Sequence, residues 1–170
     1  MKVVFLDFDG VLNSQRSAIA YGGVSWSGAA GIRAKMDDVA VRLIGGIVCR
    51  AGASIVLSSS WRNDSAWKSY GPALDLPIID RTPTLTGPRG AEIADWLHRH
   101  PEVEQYAIVD DDSDMLPEQL PFFVHTDAFD GFTWKCAKKL ASLMGIEIYD
   151  VNHPGQRLPV PTKGLNWVDE

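Results

Sequence analysis

The sequence has few cysteines and no long apolar run, and both features exclude classes of protein. The two cysteines among 170 residues, Cys49 and Cys136, lie in predicted helices without a nearby partner cysteine. We therefore expect two reduced, packed thiols and neither a disulfide nor a cysteine metal site. No apolar run is long enough to span a membrane, and the first residues lead directly into a predicted strand with no signal peptide. These features predict a cytoplasmic protein with no membrane partner.

Basic residues are also in the minority, and common nucleotide-binding motifs are missing. Lysine and arginine number 16 against 22 acidic residues, and the net charge of −6 opposes tight, sequence-independent binding to nucleic acid. A nucleic-acid end could still enter a locally basic cleft. The sequence contains no phosphate-binding P-loop, dinucleotide fingerprint or internal repeat. An apolar content of 45% and a charged content of 22% are typical of an ordinary globular domain.

An apolar, β-favouring run near the amino terminus ends at two carboxylates. Residues 3–6 form the run, and Asp7, Asp9 and Gly10 follow it. Because side chains alternate along an extended chain, Asp7 and Asp9 should project to the same side with Phe8 turned away. Two carboxylates this close need a retained proton or a cation, and Mg²⁺ is the better candidate. Gly10 allows a sharp turn where a side chain would obstruct a substrate.

A second apolar run, residues 54–57, ends at serines. A helix predicted from Asp37 to Gly52 separates it from the first run, and a strand, helix, strand order favours a parallel pair. Ser58 should then lie at the same sheet edge as Asp7. Ser59 follows as a substrate-binding candidate, and Arg62 is a candidate for a forked contact to phosphate oxygens. A surface ion pair is the alternative for Arg62.

A third apolar run, residues 106–109, ends at four carboxylates within five residues. These are Asp110, Asp111, Asp112 and Asp114, and they would repel one another strongly unless some of them bound a cation. The strand register makes Asp111 the first choice as a metal ligand and Asp110 the second. Asp112 and Asp114 are better suited to loop hydrogen bonds or to the outer shell of the metal.

The three runs and their polar ends resemble the motifs of the haloacid dehalogenase (HAD) superfamily. Asp-Phe-Asp-Gly-Val-Leu-Asn looks like the first motif, and the resemblance implies that Asp7 is the nucleophile and Asp9 the general acid and base. Ser58 matches the second-motif residue, which donates a hydrogen bond to the phosphoryl group. Arg89, near the start of a predicted helix, matches the third-motif cation, with Lys68 and Arg81 as weaker competitors.

The resemblance narrows to the small HAD domains associated with RNA repair, similar to polynucleotide 3′-phosphatases. It rests on Val-Leu-Asn, Ser-Ser-Ser-Trp-Arg, Arg-Gly-Ala-Glu-Ile-Ala-Asp-Trp-Leu and Val-Asp-Asp-Asp, and it covers residues 1–145. It implies a Mg²⁺-dependent phosphomonoester hydrolase that forms an aspartyl phosphate, with Asp7, the Asp9 carbonyl and Asp111 at the metal. The substrate would be a phosphorylated nucleic-acid end. A free nucleotide or other small phosphomonoester, and a non-catalytic binding module, are the alternatives.

The predicted fold is an α/β, Rossmann-like three-layer sandwich with a mostly parallel central sheet and no large cap. We expect a single domain over residues 1–150 and an irregular tail over residues 151–170. Residues 14–35 show no useful periodicity and are interpreted as a flap or minimal cap, in which Tyr21 or Trp26 could stack on a base or cover core surface. The remaining predictions are short helices at 63–70, 91–100 and 133–144, an ordered loop at 71–88, a strand at 122–124 and an edge strand at 146–149.

Overall fold

One parallel sheet forms the centre of the computed structural model, which describes residues 1–22 and 31–148. Its strands are β1 (Lys2–Leu6), β2 (Ala53–Leu57), β3 (Ile78–Arg81), β4 (Gln105–Asp110) and β5 (Phe123–His125), in the order β3-β2-β1-β4-β5. All four neighbouring pairs are parallel. The predicted Rossmann-like α/β architecture is therefore confirmed.

Helices cover both faces of the sheet. They are α1 (Gln15–Ala20), α2 (Asp38–Ala51), α3 (Tyr70–Leu74), α4 (Arg89–His98) and α5 (Trp134–Leu143), with 3-10 turns at Ile32–Lys35, Ser60–Asn63, Trp67–Ser69 and Pro117–Phe122. Alternate residues of β1 pack in opposite directions. Val4 and Leu6 join the larger core with α2, α3 and α5, whereas Val3 and Phe5 join the smaller core with α4. The result is a three-layer sandwich.

Helix α2 begins and ends at the residues that the sequence predicts. The Asp37 carboxylate accepts hydrogen bonds from the backbone N–H groups of Val39, at 2.9 Å, and Ala40, at 3.3 Å. Gly52 ends the helix in the left-handed conformation, with φ of +62°. The helix returns the chain from β1 to β2, so both strands point the same way and their carboxyl ends share one edge.

Strand β1 lies at the centre of the sheet, and the later strands are added first on one side of it and then on the other. The chain proceeds from β1 through β2 to the edge strand β3, and α4 then carries it across the opposite face to β4, on the other side of β1. The strand order therefore reverses between β1 and β4. In open α/β sheets, ligands bind outside the carboxyl ends of the strands at such a switch point. Asp7 follows one of these two strands, and Asp110 ends the other.

Several predictions of local structure are wrong. Residues 14–35, which show no useful periodicity in the sequence and are interpreted as a flap or minimal cap, contain α1 and a 3-10 turn. Ser14 caps α1 by accepting a hydrogen bond from the N–H of Ser17. The described parts of this segment, residues 14–22 and 31–35, form no large cap domain. The helix predicted at 63–70 is instead a pair of 3-10 turns followed by α3. The region 71–88 contains edge strand β3, since Pro77 and Pro83 flank that strand without interrupting it.

Two further predictions differ from the structure near the surface. Residues 146–148 form no strand, although Ile146 and Ile148 pack against the larger core. Cys136 is buried as expected, but Cys49 lies on the exposed side of α2, and both thiols are free. Trp26, within residues 23–30, and the tail at 151–170 lie outside the described residues. No helix in the described part of the chain is long and apolar enough to cross a membrane.

Candidate active site

The polar residues that follow β1, β2 and β4 are aligned at one edge of the sheet. Leu6 is in register with Leu57 of β2 and with Val109 of β4. The hydrogen-bond ladder continues one residue further, because the N–H of Asp7 donates to the Val109 carbonyl and the N–H of Ser58 donates to the Leu6 carbonyl, each at 3.0 Å. Regular parallel pairing thus places Asp7 between Ser58 and the end of β4.

Three carboxylates meet at this edge. Asp7, Asp110 and Asp111 each offer an oxygen, and these oxygens lie within 4.8 Å of one another. Asp7 and Asp110 are buried, and Asp111 is half-buried. One oxygen of Asp110, Oδ2, is buried without a hydrogen-bond partner among the described residues. We call these three residues the carboxylate cluster.

Burial makes ionisation of the carboxylate cluster unfavourable. Desolvation raises the pKa of Asp7 to about 6, although the Arg89 guanidinium and a hydrogen bond with the Ser59 side chain act in the opposite direction. Desolvation, and then the charge of Asp7, raise the pKa of Asp110 to about 8. The pKa of Asp111 is also raised, mainly by burial. A bound cation would relieve this penalty, since opposite charge favours the ionised form.

Among the described residues, Arg89 is the cation that reaches the carboxylate cluster. Its Nη1 lies 3.1 Å from Oδ1 of Asp7, and its Nε lies 3.3 Å from Oδ2 of Asp110. Its Nη1 also donates to the Ser58 carbonyl. Three carboxylates against one guanidinium leave an excess of two negative charges when all are ionised, which matches a divalent cation.

The start of α4 fixes the position of Arg89. The backbone N–H of Arg89 donates to the Asp114 carboxylate at 2.8 Å, and the side-chain amide of Gln119 donates to the Gly90 carbonyl at 2.8 Å. A Cβ at Gly90 would lie 2.5 Å from the N of Leu116 and from Oε1 of Gln119, so only glycine fits here. Asp114 therefore lies at the helix start, as a loop contact and not in the carboxylate cluster.

The competing cations contact other groups. Lys68 lies over the Trp67 ring at 5.8 Å from its centre, and Arg81 lies over the same ring at 5.2 Å. Arg81 also donates to the carbonyl of Arg62. Of the three candidates for the third-motif cation, Arg89 is the one that the structure brings to Asp7.

Gly10 brings Asp111 against the turn that follows β1. Its φ of +66° favours glycine, and a Cβ built on it would lie 2.2 Å from the Asp111 carboxylate. The His125 ring, through Nε2, donates to the Asp111 carbonyl at 2.8 Å, and the Thr126 hydroxyl donates to the Gly10 carbonyl at 3.0 Å. The close approach of Gly10 therefore sets the position of the Asp111 carboxylate. Glycine also leaves space at the turn.

Asp9 lies outside the carboxylate cluster and has its own hydrogen-bond donors. The side-chain amide of Asn13 donates to Oδ1 at 2.7 Å. The Trp61 indole N–H lies 3.1 Å from Oδ1 and 3.0 Å from Oδ2. Phe8, between the two aspartates, is fully buried and turned away, as predicted. Asp7 and Asp9 thus occupy different environments although they are two residues apart.

The serines after β2 differ in their contacts. Ser58 is fully buried, and its hydroxyl oxygen has no hydrogen-bond partner among the described residues. Ser59 forms a side-chain hydrogen bond to Asp7, which lowers the pKa of that carboxyl, and its oxygen also accepts from the N–H of Trp61 at 3.4 Å. A buried hydroxyl without a partner is costly, so the Ser58 hydroxyl is available for a ligand.

Arg62 does not face the carboxylate cluster. Its Nη2 donates to both Glu92 carboxylate oxygens, at 2.7 and 2.6 Å, and its Nη1 donates to the carbonyls of Ser58 and Ser59. Both charged side chains are 6% exposed, so the ion pair is buried and does not lie at the surface. These contacts favour a structural role, in which Arg62 ties the turn after β2 to α4.

Arg62→Met should destabilise the fold strongly. The change leaves the Glu92 carboxylate buried without its partner, which typically costs about 3–5 kcal/mol in the free energy of unfolding. Urea denaturation measures this cost. Arg99→Met is the matched control, because it removes an ion pair with Asp95 whose side chains are 50% and 42% exposed, and should cost about 0.5 kcal/mol or less. Equal losses in the two variants would contradict a structural role for the buried pair.

Sequence reasoning assigned no role to two residues that contact Asp9. Asn13 and Trp61 both belong to the segments quoted for the family resemblance, yet their contacts depend on side-chain direction after a turn, which periodicity does not give. The one signal in the sequence is the position of Trp61, directly after the three serines that follow β2. A large aromatic residue at that place must pack somewhere near the ends of the strands.

A comparison with known protein families agrees with this geometry. The family model described as the HAD domain in Swiss Army Knife RNA repair proteins matches residues 3–137. The match includes all three strand ends, the carboxylate cluster and Arg89. No curated protein and no solved structure matches the chain significantly.

Proposed function

Since the chain belongs to the family of HAD domains in Swiss Army Knife RNA repair proteins, we propose that it is a Mg²⁺-dependent phosphomonoester hydrolase. The reaction proceeds through a phosphorylated Asp7. The proposed substrate is a nucleic acid end that carries a 3′-phosphate. One observation carries the proposal: Asp7 lies in the carboxylate cluster beside Arg89, whereas Asp9 is held separately by Trp61 and Asn13. Two carboxyl groups in different environments suit the two roles of nucleophile and proton carrier.

The carboxylate cluster fits Mg²⁺. The cluster offers hard carboxylate oxygens, and its two negative charges in excess of Arg89 balance the charge of the ion when all three carboxylates are ionised. Oδ2 of Asp110 is buried and accepts no hydrogen bond among the described residues, and the Nε of Arg89 lies 3.3 Å from it as an ion pair. Asp7, Asp111 and Asp110 would hold the ion, together with the Asp9 carbonyl that the family pattern implies. When bound, the ion supplies positive charge that offsets the repulsion between Asp7 and the substrate phosphate.

The first chemical step transfers the phosphoryl group to Asp7. A carboxylate oxygen of Asp7 attacks phosphorus, and the bond from phosphorus to the leaving oxygen breaks. Ser58 donates its free hydroxyl to a phosphoryl oxygen, and Arg89 offers its guanidinium to the same group. Asp9 gives a proton to the leaving oxygen, which an alkoxide leaving group requires.

The second step returns Asp7 to its starting state. Asp9, now ionised, takes a proton from a water molecule, and the resulting hydroxide attacks phosphorus. The bond between phosphorus and the Asp7 oxygen breaks, and inorganic phosphate leaves. Asp9 is again protonated at the end of the cycle, so each turnover converts one phosphomonoester and one water into an alcohol and inorganic phosphate.

Among the described residues, no large cap covers the edge of the sheet where the carboxylate cluster lies, and an open edge supports a large substrate. The net charge of −6 opposes a long electrostatic contact with a polymer. Together these features favour recognition of a nucleic-acid end over binding along the length of a nucleic acid. A free nucleotide would satisfy the same catalytic groups and is the second candidate.

Phosphate release tests the proposal. We expect Mg²⁺-dependent release of inorganic phosphate from a 3′-phosphorylated oligonucleotide, stopped by a chelator and restored by added Mg²⁺. A 3′-mononucleotide and an aryl phosphate are run in parallel. A preference for the mononucleotide would favour the small-substrate alternative. No release from any of the three would refute the enzyme and leave a binding module with this fold.

Gly10→Ala should weaken Mg²⁺ binding. The new methyl group would overlap the Asp111 carboxylate, and displacing one ligand should lower the affinity for Mg²⁺ by roughly tenfold or more, as measured by calorimetry. Gly52→Ala is the matched control, because Gly52 has nearly the same φ, +62°, but nothing within 4 Å of the added carbon. Both variants should lose about 1–2 kcal/mol of folding stability from the left-handed backbone. Equal Mg²⁺ affinity in the two would contradict the ligand role of Asp111.

A further inference from the structure

Both oxygens of Asp9 face a single buried indole. Trp61 Nε1 lies 3.0 Å from one oxygen and 3.1 Å from the other, so its proton is shared across the carboxylate. Asn13 adds one hydrogen bond, to Oδ1 alone. A donor shared by both oxygens restricts rotation of the carboxylate, whereas a donor to one oxygen leaves the other free to move.

The indole is itself held in place by aromatic packing. Trp61 is 8% exposed, and its ring centre lies 5.7 Å from that of Phe8 and 5.7 Å from that of Tyr70. The Tyr70 hydroxyl donates to Asp64 at 2.6 Å, which fixes that ring in turn. Phe8 is the residue between Asp7 and Asp9, so the strand end that presents the two carboxylates also packs against the indole.

We propose that Trp61 is a positioning residue, which holds the Asp9 carboxylate outside the carboxylate cluster and in the orientation for proton transfer. A buried indole N–H needs an acceptor, but a backbone carbonyl would satisfy that need equally well. Here the acceptor is the carboxylate nearest in sequence to Asp7. Without Trp61, Oδ2 of Asp9 has no remaining hydrogen-bond donor among the described residues, and the carboxylate can leave its native orientation. This inference rests on the proposed function.

Comparing substrates with different leaving groups distinguishes a positioning role of Trp61 from a general loss of activity in the variant. Trp61→Phe keeps an aromatic ring and removes the N–H. Under single-turnover conditions, we expect release of the nucleoside from a 3′-phosphate to slow by roughly tenfold to a hundredfold, because an alkoxide leaving group needs the proton from Asp9. Release of 4-nitrophenolate, which departs without a proton, should slow less than about threefold. Equal slowing of both substrates would overturn the proposal.

Trp96→Phe is the matched control. The Trp96 indole N–H donates to the Asp80 carboxylate at 2.7 Å, and Trp96 is 1% exposed, but it packs in the smaller core on the other face of the sheet. This variant should leave the ratio of the two release rates at the wild-type value. The same change of ratio in Trp96→Phe as in Trp61→Phe would show a nonspecific effect and overturn the assignment.

An NMR measurement tests the contact without reference to activity. In Asp9→Asn, the indole N–H resonance of Trp61 should shift while that of Trp96 stays in place, and Asp80→Asn should give the reverse pattern. An unmoved Trp61 resonance in Asp9→Asn would overturn the proposal even for an active enzyme. Absence of phosphatase activity in the wild type would instead refute the proposed function, and the resonance shift would still establish whether Trp61 holds Asp9.

Discussion

Asp7→Asn should abolish turnover and preserve the fold. An amide oxygen is a poor nucleophile toward phosphorus, and losing the nucleophile should lower kcat on the order of 10⁴-fold or more. The fold should survive, because burial raises the pKa of Asp7 and its ionised form is therefore unfavourable in the native state. Phosphate release measures the first effect, and a thermal melt without divalent cation measures the second.

Whether Asp7→Asn raises or lowers the folding stability follows from the direction in which the pKa of Asp7 is shifted. A carboxyl with a raised pKa in the folded state destabilises the protein once the pH is high enough to ionise it. The neutral amide removes that cost, so Asp7→Asn should melt within a few degrees of the wild type or above it. Asp95→Asn is the control and should keep full activity, because Asp95 is a half-buried carboxylate of α4 that pairs with Arg99. Substantial activity in Asp7→Asn would refute its role as the nucleophile.

Asp9→Asn should trap the phosphoenzyme. With an aryl phosphate, whose leaving group needs no proton, the first step still proceeds and Asp7 becomes phosphorylated. The second step then lacks its base, so turnover should fall roughly 10²- to 10⁴-fold. A burst of phenolate near one equivalent per enzyme, followed by slow release, is the expected kinetic result.

Mass spectrometry identifies the trapped species. The acid-quenched Asp9→Asn protein should carry one phosphoryl group, and reduction with borohydride should convert the phosphorylated residue at position 7 to homoserine. The same treatment of Asp7→Asn should give no homoserine. A burst without any covalent adduct would exclude Asp9 as the base of the hydrolytic step.

The parts of the site that follow from strand ends could be predicted from sequence. Each apolar run stops at a polar residue, parallel pairing aligns the ends, and Asp7, Ser58 and Asp110 therefore meet as expected. The helix bounds of α2 also follow from local signals, since Asp37 caps its start and Gly52 ends it. These features depend on strand pairing, on side-chain alternation and on local signals at the helix ends, and they need no knowledge of contacts between distant side chains.

The parts that depend on side-chain direction could not be predicted. Arg62 looks like a phosphate ligand by residue type, but its partner Glu92 is thirty residues away and on α4. Trp61 reaches Asp9 across fifty-two residues, through a turn whose course the sequence does not specify. The prolines around edge strand β3 favour a loop and are a stronger sequence signal than its apolar pair, Ile78 and Ile79, although Pro77 and Pro83 only flank the strand.

A crystal structure with Mg²⁺ and beryllium fluoride tests the central claim most directly, because beryllium fluoride mimics a phosphoryl group on an aspartate. We predict density for the mimic bonded to a carboxylate oxygen of Asp7, with Mg²⁺ bound by Asp7 and Asp111 and the Ser58 hydroxyl donating to a fluoride. Density for the mimic on another residue, or Mg²⁺ bound away from Asp7 with that carboxylate unmodified, would contradict the account.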